Sequence, residues 1–433
     1  MPKTQEKGDD AWLAELSYRS IYRKAWPVIL ANAAVPLLGL VDTAIMGHFG
    51  STSELAGLAI AGLVFSFVYW GFGFLRMSTT GLTAQAVGAG KVDESRATLQ
   101  RALMLGFGFA VMLIVLFPLI KWGSFAAFQA ESEVERLGRS YFDTRIWGAP
   151  ALLMSYGING WLLGTGRTRS LLAYQIMLNG VNAGLDWYFV AELGWGPAGI
   201  GAGTSIAEWV ALGFGLWLVR DGLKSGAPLM DREALRALFM ANRDIMIRTL
   251  ALIFCFAWFV NSGAKQGTAN LAGNEVLLVF LTVAANVLDS FAFVTEKEVG
   301  EAFGSNSTSR VRRAIRITGE LALIFGVLIS IVFYFAGAAV IQSFVQDAEA
   351  REAAIRFLPY CAAVPTIGIA AWQLDGVFIG ATQGRALRNA GVLSAALYVG
   401  TDIWLSGAYA NTGVWIALLS ICLLYTSPSP RDA

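Results

Sequence analysis

The sequence predicts an all-α integral membrane protein of about twelve transmembrane helices, arranged as two pseudo-symmetric bundles of six. Three observations carry this. Of 433 residues, 56% are hydrophobic and only 15% are charged, with a mean hydropathy of +0.56, whereas soluble domains carry about 25% charged residues. The polar connections alternate between basic and nearly uncharged. A set of residues in the fifth apolar run recurs in the eleventh, 216 positions later.

Twelve apolar runs are legible, at 25–47, 55–80, 98–122, 138–163, 170–191, 198–220, 247–263, 271–295, 315–344, 355–380, 387–408 and 412–425. The first, WPVILANAAVPLLGLVDTAIMGHFG, is long enough to cross a bilayer whose hydrocarbon core is about 30 Å thick. It contains Asp42 among residues that otherwise suit lipid. At ~1.5 Å per residue from a start near Ala25, Asp42 lies about 26 Å in. An ionised Asp at the centre of a membrane helix costs roughly 2.5–3.5 kcal/mol, so such a residue faces a cavity or a partner. Pro27 and Pro36 give the same helix places to bend.

Lys91, Arg96, Arg101, Arg167, Arg169, Arg220, Lys224, Arg232, Arg310, Arg312, Arg385 and Arg388 all fall in connections on one side. The N-terminal Lys3, Lys7, Arg19, Arg23 and Lys24 join them, whereas 48–54, 192–197 and 409–412 are almost free of Lys and Arg. Basic connections stay in the cytoplasm, which puts the N-terminus there, in a cell membrane and in the bacterial inner membrane as the expected case. Residues 1–24 read as a cytoplasmic tail with an amphipathic segment and lack the apolar core of a signal peptide. Residues 25–221 read as the first lobe, 222–246 as a cytoplasmic linker and 247–425 as the second lobe.

The repeat sets that register. Gly164, Arg169, Leu171, Gly184 and Asp186 match Gly380, Arg385, Leu387, Gly400 and Asp402. GLVDTAIMGHFG around Asp42 is echoed by WFVNSGAKQG around Asn261, and AQAVGAG by EKEVGEAFG. Six helices per half leave both halves the same way up, and parallel repeats of this kind are a transporter signature. The final run, GVWIALLSICLLY, is short of the ~20 residues of a crossing. The ending LLYTSPSPRDA resembles translated adapter sequence, so 426–433 read as a non-native tail after a truncated twelfth helix; a short final helix is the alternative.

Polar residues of the first half converge on one depth. Asp186 lies about 24 Å along its helix from Ser170, level with Asp42, and Asn182, four residues earlier, shares its face. Thr204 lies early in the next helix, with Glu208 one turn on. Two carboxylates, an amide and a hydroxyl at common depth suit a proton or a hard cation such as Na⁺ held by oxygens. Ordinary interhelical hydrogen bonding is the alternative for Asn182 and Thr204. Arg76 and Arg145, inside apolar runs, are expected to snorkel or to pair with a carboxylate. His48 stands alone, and Cys255, Cys361 and Cys422 are dispersed in apolar runs, which excludes a disulfide or Cys-based metal framework as the reading.

WPVILANAAVPLLGLVDTAIMGHFG, LRMSTTGLTAQAVGAG and LDGVFIGATQG resemble the multidrug and toxic compound extrusion (MATE) family, in its DinF-like branch, over about 17–424. The resemblance implies twelve helices in two bundles around a V-shaped cavity, and cation-coupled export of drugs and metabolites. It matches Asp42, Asn182, Asp186 and Thr204 to the family's first-lobe proton or Na⁺ site, and Asp375 to an acid implicated in the second lobe. Asn261, Asp289, Glu296, Asp375 and Asp402 are further candidates for a substrate cavity or second-lobe role. The chain departs from the branch at Lys297, between Glu296 and Glu298, where local pairing is expected, and at neutral Asn261, which puts ion coupling by that half in doubt.

The expected function is therefore an antiporter exchanging H⁺ or Na⁺ for amphipathic or cationic small molecules by alternating access. It is expected to act as a monomer in a lipid bilayer, with no cofactor other than the coupling ion and no nucleic-acid partner. Two alternatives are a lipid-linked precursor flippase, which calls for a strongly cationic cavity, and a membrane-embedded enzyme, for which the sequence offers no nucleophile, base or paired metal-binding motif.

Overall fold

The computed structural model describes residues 16–127, 131–224 and 226–424, and every regular element among them is helical. In chain order these are α1 (Tyr18–Phe49), α2 (Thr52–Gly71), α3 (Phe74–Gly88), α4 (Val92–Ala127), α5 (Ser132–Arg145), α6 (Ala149–Gly164), α7 (Thr168–Trp187) and α8 (Gly196–Leu218). Then follow α9 (Arg232–Ala264), α10 (Thr268–Gly304), α11 (Thr308–Phe344), α12 (Ala348–Ile367), α13 (Ile369–Gly380) and α14 (Gly384–Leu424). Residues 1–15 of the expected N-terminal tail and amphipathic segment, and the C-terminal tail, lie outside the described residues, as do the side chains of Pro36 and Cys422.

Among the described residues, seven helical stretches are long and apolar enough to cross a membrane: Tyr18–Phe49, Thr52–Gly88, Val92–Ala126, Arg232–Ala264, Thr268–Gly304, Thr308–Phe344 and Ala348–Gly380. The molecule is thus an all-α, multi-pass membrane protein. Local chemistry sets several boundaries. Ser51 accepts from the Glu54 backbone N–H at 3.3 Å while the Glu54 carboxylate accepts from the Ser51 N–H at 2.7 Å, a reciprocal cap that starts α2. Asp347 caps α12 through the Ala350 N–H at 2.7 Å. The two last apolar runs are joined in α14 across a break at Ala410, whose φ of 52° and ψ of −138° are not helical.

The chain divides into two compact units, one formed by 30–238 and one by the residues up to 29 together with those from 239 on. In the first, Leu99, Leu103, Ile158, Trp161, Leu162 and Leu212 form a buried core. In the second, Phe259, Leu277, Phe357, Cys361 and Trp415 anchor one core, and Phe291, Val294, Val299 and Ile317 another. The start of α1 packs into the latter through Leu16, Ile21 and Ala25. Lys24 Nζ reaches Glu298 Oε1 at 2.5 Å, and Arg313 donates to the Leu16 carbonyl at 3.1 Å. The reason is charge and apolar area: Lys24 finds a buried carboxylate there, and the apolar face of 16–25 finds a core. Lys297 pairs locally, with Glu298 at 3.2 Å and with Glu301.

The sequence repeat is also a repeat of backbone contacts. A Cβ on Gly160 would stand 2.5 Å from the Arg76 carbonyl oxygen, and one on Gly164 2.8 Å from that of Thr80. In the second unit a Cβ on Gly376 would stand 2.5 Å from the Ala292 oxygen, and one on Gly380 2.5 Å from that of Glu296. Every position in the second set is 216 beyond its counterpart in the first. Glycines four apart let α6 meet α3, and α13 meet α10, at backbone distance, as small residues do in membrane helix pairs. Replacing Gly160 or Gly376 by Ala is therefore expected to cost about 1–3 kcal/mol through overpacking. Gly319, with nothing within 4 Å of its Cβ position, should accept Ala with little change. Thermal unfolding of the detergent-purified protein measures all three.

Candidate functional site

The site is built within the unit 30–238 by α1, α7 and α8. Asp42 projects from α1 and is 8% exposed, Asn182 and Asp186 from α7 are both fully buried, and Thr204 from α8 is 3% exposed. The i, i+4 spacing puts Asn182 and Asp186 on one face of α7. Directly after Asp186 and Trp187 the helix loosens into a π-turn over Tyr188–Glu192, a distortion that recurs at functional sites. On α8 the small residues of GAGTS allow close approach. A Cβ on Gly203 would lie 2.1 Å from Asp186 Oδ1, so only a glycine leaves room for the carboxylate.

The amide of Asn182 donates to Thr204 Oγ1 at 3.0 Å, and the Thr204 hydroxyl donates to the Ile200 carbonyl at 2.8 Å. The carboxyls of Asp42 and Asp186 are electrostatic neighbours, with the Asn182 side chain beside Asp186. As carboxylates, however, neither has a donor to offer. Asp42 Oδ1, Asn182 Oδ1 and both oxygens of Asp186 are buried without a donor. Buried acceptors are almost always satisfied in native proteins, and two neighbouring carboxylates in low dielectric repel. The arrangement therefore has room for positive charge: one proton shared by the pair, or a small cation held by the same oxygens.

A second layer adjoins it. Arg145, at the end of α5, grips Glu208 of α8 in a two-pronged ion pair at 2.8 and 2.6 Å. Its guanidinium also lies over the Tyr69 ring at 5.0 Å and the Phe65 ring at 5.7 Å. The expectation that Arg145 pairs with a carboxylate is met, and Glu208 is thereby committed to Arg145 rather than to the acid pair. The partnership was not readable in the sequence, where 63 positions separate the two residues; the turn-on-turn spacing of Thr204 and Glu208 was its only trace.

The candidates of the second half fare differently. Asp375 forms an ion pair with Arg248. Asp402 is 1% exposed and accepts from the Trp258 indole N–H at 2.8 Å and the Ser262 hydroxyl at 2.6 Å. Asn261, expected as the counterpart of Asp42, is exposed and is not brought to Asp402. The physical reason is helical phase: Trp258 and Ser262, four apart, share the face of α9 that meets α14, and Asn261 points about 100° away from Ser262. Glu296 is 1% exposed on α10, and Asp289 is half-buried on the same helix. These residues do not converge on one centre with Asp375 and Asp402 among the contacts described. Among the described residues no group of three or more His, Cys, Asp and Glu side chains could hold a metal ion.

Residues 27–188 match the family profile described as MatE. Over 416 residues the chain is 36% identical to DNA damage-inducible protein F of Escherichia coli (strain K12), covering 93% of this chain and 89% of that protein. The chain belongs to the MATE family. Its kinship with the Escherichia coli protein places it by the DinF-like branch. It is also 21% identical to the probable multidrug resistance protein NorM of Halalkalibacterium halodurans, over 82% of this chain and 80% of that one. In fold it is similar to the Vibrio cholerae MATE transporter VcmN in the bent form, with a TM-score of 0.87, 19% identity and 94% of both chains covered.

Removing one partner of a buried ion pair strands the other charge, at a cost of about 3–5 kcal/mol, whereas replacing both by apolar groups of similar volume is often neutral. Arg145→Met alone is thus expected to lower the unfolding temperature sharply, and adding Glu208→Leu to restore most of it. Calorimetry or fluorescence-monitored unfolding in detergent decides.

Proposed function

We propose that this MATE family member is a cation-coupled antiporter that exports amphipathic or cationic organic compounds from the bacterial cytoplasm by alternating access. The coupling site is Asp42 and Asp186, assisted by Asn182 and Thr204. One observation carries this reading: oxygens from two helices are buried together with no donor. Such a cluster gains most from the species an antiporter must carry, H⁺ or Na⁺. With the site loaded, its charge is reduced and α1 can repack; with it empty, two carboxylates repel and favour a different arrangement of that helix. Coupling then follows from one element having two packings whose balance the cation shifts.

The same reading includes the twelve-helix organisation. The first half, 25–221, and the second, 247–425, are joined by a cytoplasmic linker at 222–246. The backbone contacts repeated at Gly160/Gly164 and Gly376/Gly380 support that symmetry, and the basic connections support an N-terminus in the cytoplasm. The protein works as a monomer in the inner membrane. Multidrug export is suggested by its likeness to probable multidrug resistance proteins of the NorM kind, and a negative centre would favour cationic substrates.

The experiment is substrate efflux from proteoliposomes under an imposed pH or Na⁺ gradient. The parent chain should respond to one of the two gradients. Asp42→Asn, which keeps the shape and removes the charge, should lose at least about tenfold in gradient-driven rate, equivalent to roughly 1.4 kcal/mol. Transport that ignores both gradients and tolerates Asp42→Asn refutes the coupling site.

A further inference from the structure

The unit from 239 on contains a carboxylate that has not been given a positive partner. Asp402 lies on α14 where the 216-residue repeat places the counterpart of Asp186, about 24 Å along its helix from the basic side. It is 1% exposed. Both donors that reach it, the Trp258 indole at 2.8 Å and the Ser262 hydroxyl at 2.6 Å, are neutral and both go to Oδ2. Oδ1 is buried with no donor. Among the described residues no Lys or Arg forms an ion pair with it, in contrast to Asp375, which Arg248 neutralises.

A second orphan lies beside it. Tyr398, one turn before Asp402 on the same face of α14, is 0% exposed, and its hydroxyl is buried without a hydrogen-bond partner. It stands where the repeat places the counterpart of Asn182, and within electrostatic reach of Asp402. On the far side Trp258 presents its N–H edge to the carboxylate, while Lys265 Nζ lies over the indole ring, 5.8 Å from its centroid. Two turns beyond Asp402 the helix breaks at Ala410, and interrupted helices supply carbonyl oxygens to ions at membrane depth.

We propose that Asp402, Tyr398 and Ser262 form a second site for a small alkali cation such as Na⁺, contained within this unit and separate from Asp42 and Asp186. Asp402 Oδ1 supplies the charge and Tyr398 Oη and Ser262 Oγ are neutral oxygen ligands, a donor set suited to a hard cation. Trp258 is a positioning residue: its N–H fixes Oδ2, leaving Oδ1 as the free corner of the carboxylate. In the first unit a second acid, Asp42, stands where Trp258 stands here. The second site therefore carries one negative charge rather than two, and binds its cation without the mutual repulsion that would let it release one readily. It serves as a resident cation site that holds α9 to α14. The proposal extends the antiporter reading to the other half of the chain, and its test separates the two.

The test uses the full chain purified in detergent, in an Asp42→Asn/Asp186→Asn background that removes the first site. Unfolding midpoints are compared in NaCl and in choline chloride at equal ionic strength. The expected result is a higher midpoint in NaCl that survives in this background and is abolished by adding Asp402→Asn. Tyr398→Phe, which removes one oxygen ligand, should raise the Na⁺ concentration needed for half the effect roughly tenfold. If Asp402→Asn does not fold, Tyr398→Phe decides alone. Equal midpoints in the two salts overturn the proposal, as does a Na⁺ effect that neither substitution changes. Loss of gradient-driven efflux in Asp42→Asn together with equal midpoints would leave the first site standing and remove the second.

Discussion

A buried carboxylate without a cation is the constraint around which this protein is organised. In hydrocarbon an isolated charge costs too much to keep, so each intramembrane acid must be answered, and the answers differ from place to place. Glu208 is answered by Arg145 and Asp375 by Arg248. Glu298 is answered by Lys24 and Lys297. Asp42 and Asp186 have each other and the neutral Asn182 and Thr204, with the charge of Arg145 acting on them from the adjoining layer. The first group are closed circuits that fix helices in place. The last is open: among the described residues no donor reaches Asp42 Oδ1 or either oxygen of Asp186.

The packing explains why the open circuit persists. Gly203 gives Asp186 its space, the π-turn after Trp187 loosens the helix beside it, and the adjoining Arg145–Glu208 pair is complete in itself. Because Glu208 takes both prongs of the guanidinium, Arg145 is held by its own acid rather than by the Asp42–Asp186 pair. A complete pair one layer away can thus coexist with an incomplete one. Specific core geometry sets this, since a shift of one turn on α8 would exchange the roles of Thr204 and Glu208.

The two halves show how one plan yields different chemistry. Their close backbone contacts coincide residue for residue, from Gly160 on Arg76 to Gly376 on Ala292, so the scaffold is shared. The polar centres are not. Where the first half has Asp42, the second has Trp258, and where the first has Asn182, the second has Tyr398. Substituting an indole donor for a carboxylate turns a like-charge pair into a hydrogen bond.

Much of this was legible in the sequence for physical reasons. Hydrophobic run length and charge alternation are dictated by the bilayer, so they declare a multi-pass helical protein without reference to packing. The depth of Asp42 and Asp186 follows from rise per residue, and the common face of Asn182 and Asp186 from helical period. The motifs around Asp42 and in LRMSTTGLTAQ pointed to the family. What only the tertiary structure decided was partnership across helices. That Arg145 takes Glu208, that Arg248 takes Asp375, and that Ser262 rather than Asn261 reaches Asp402 depend on the rotation of one helix against another. A rotation of about 100° separates neighbouring residues, and no periodicity within a single helix records which of them faces its neighbour.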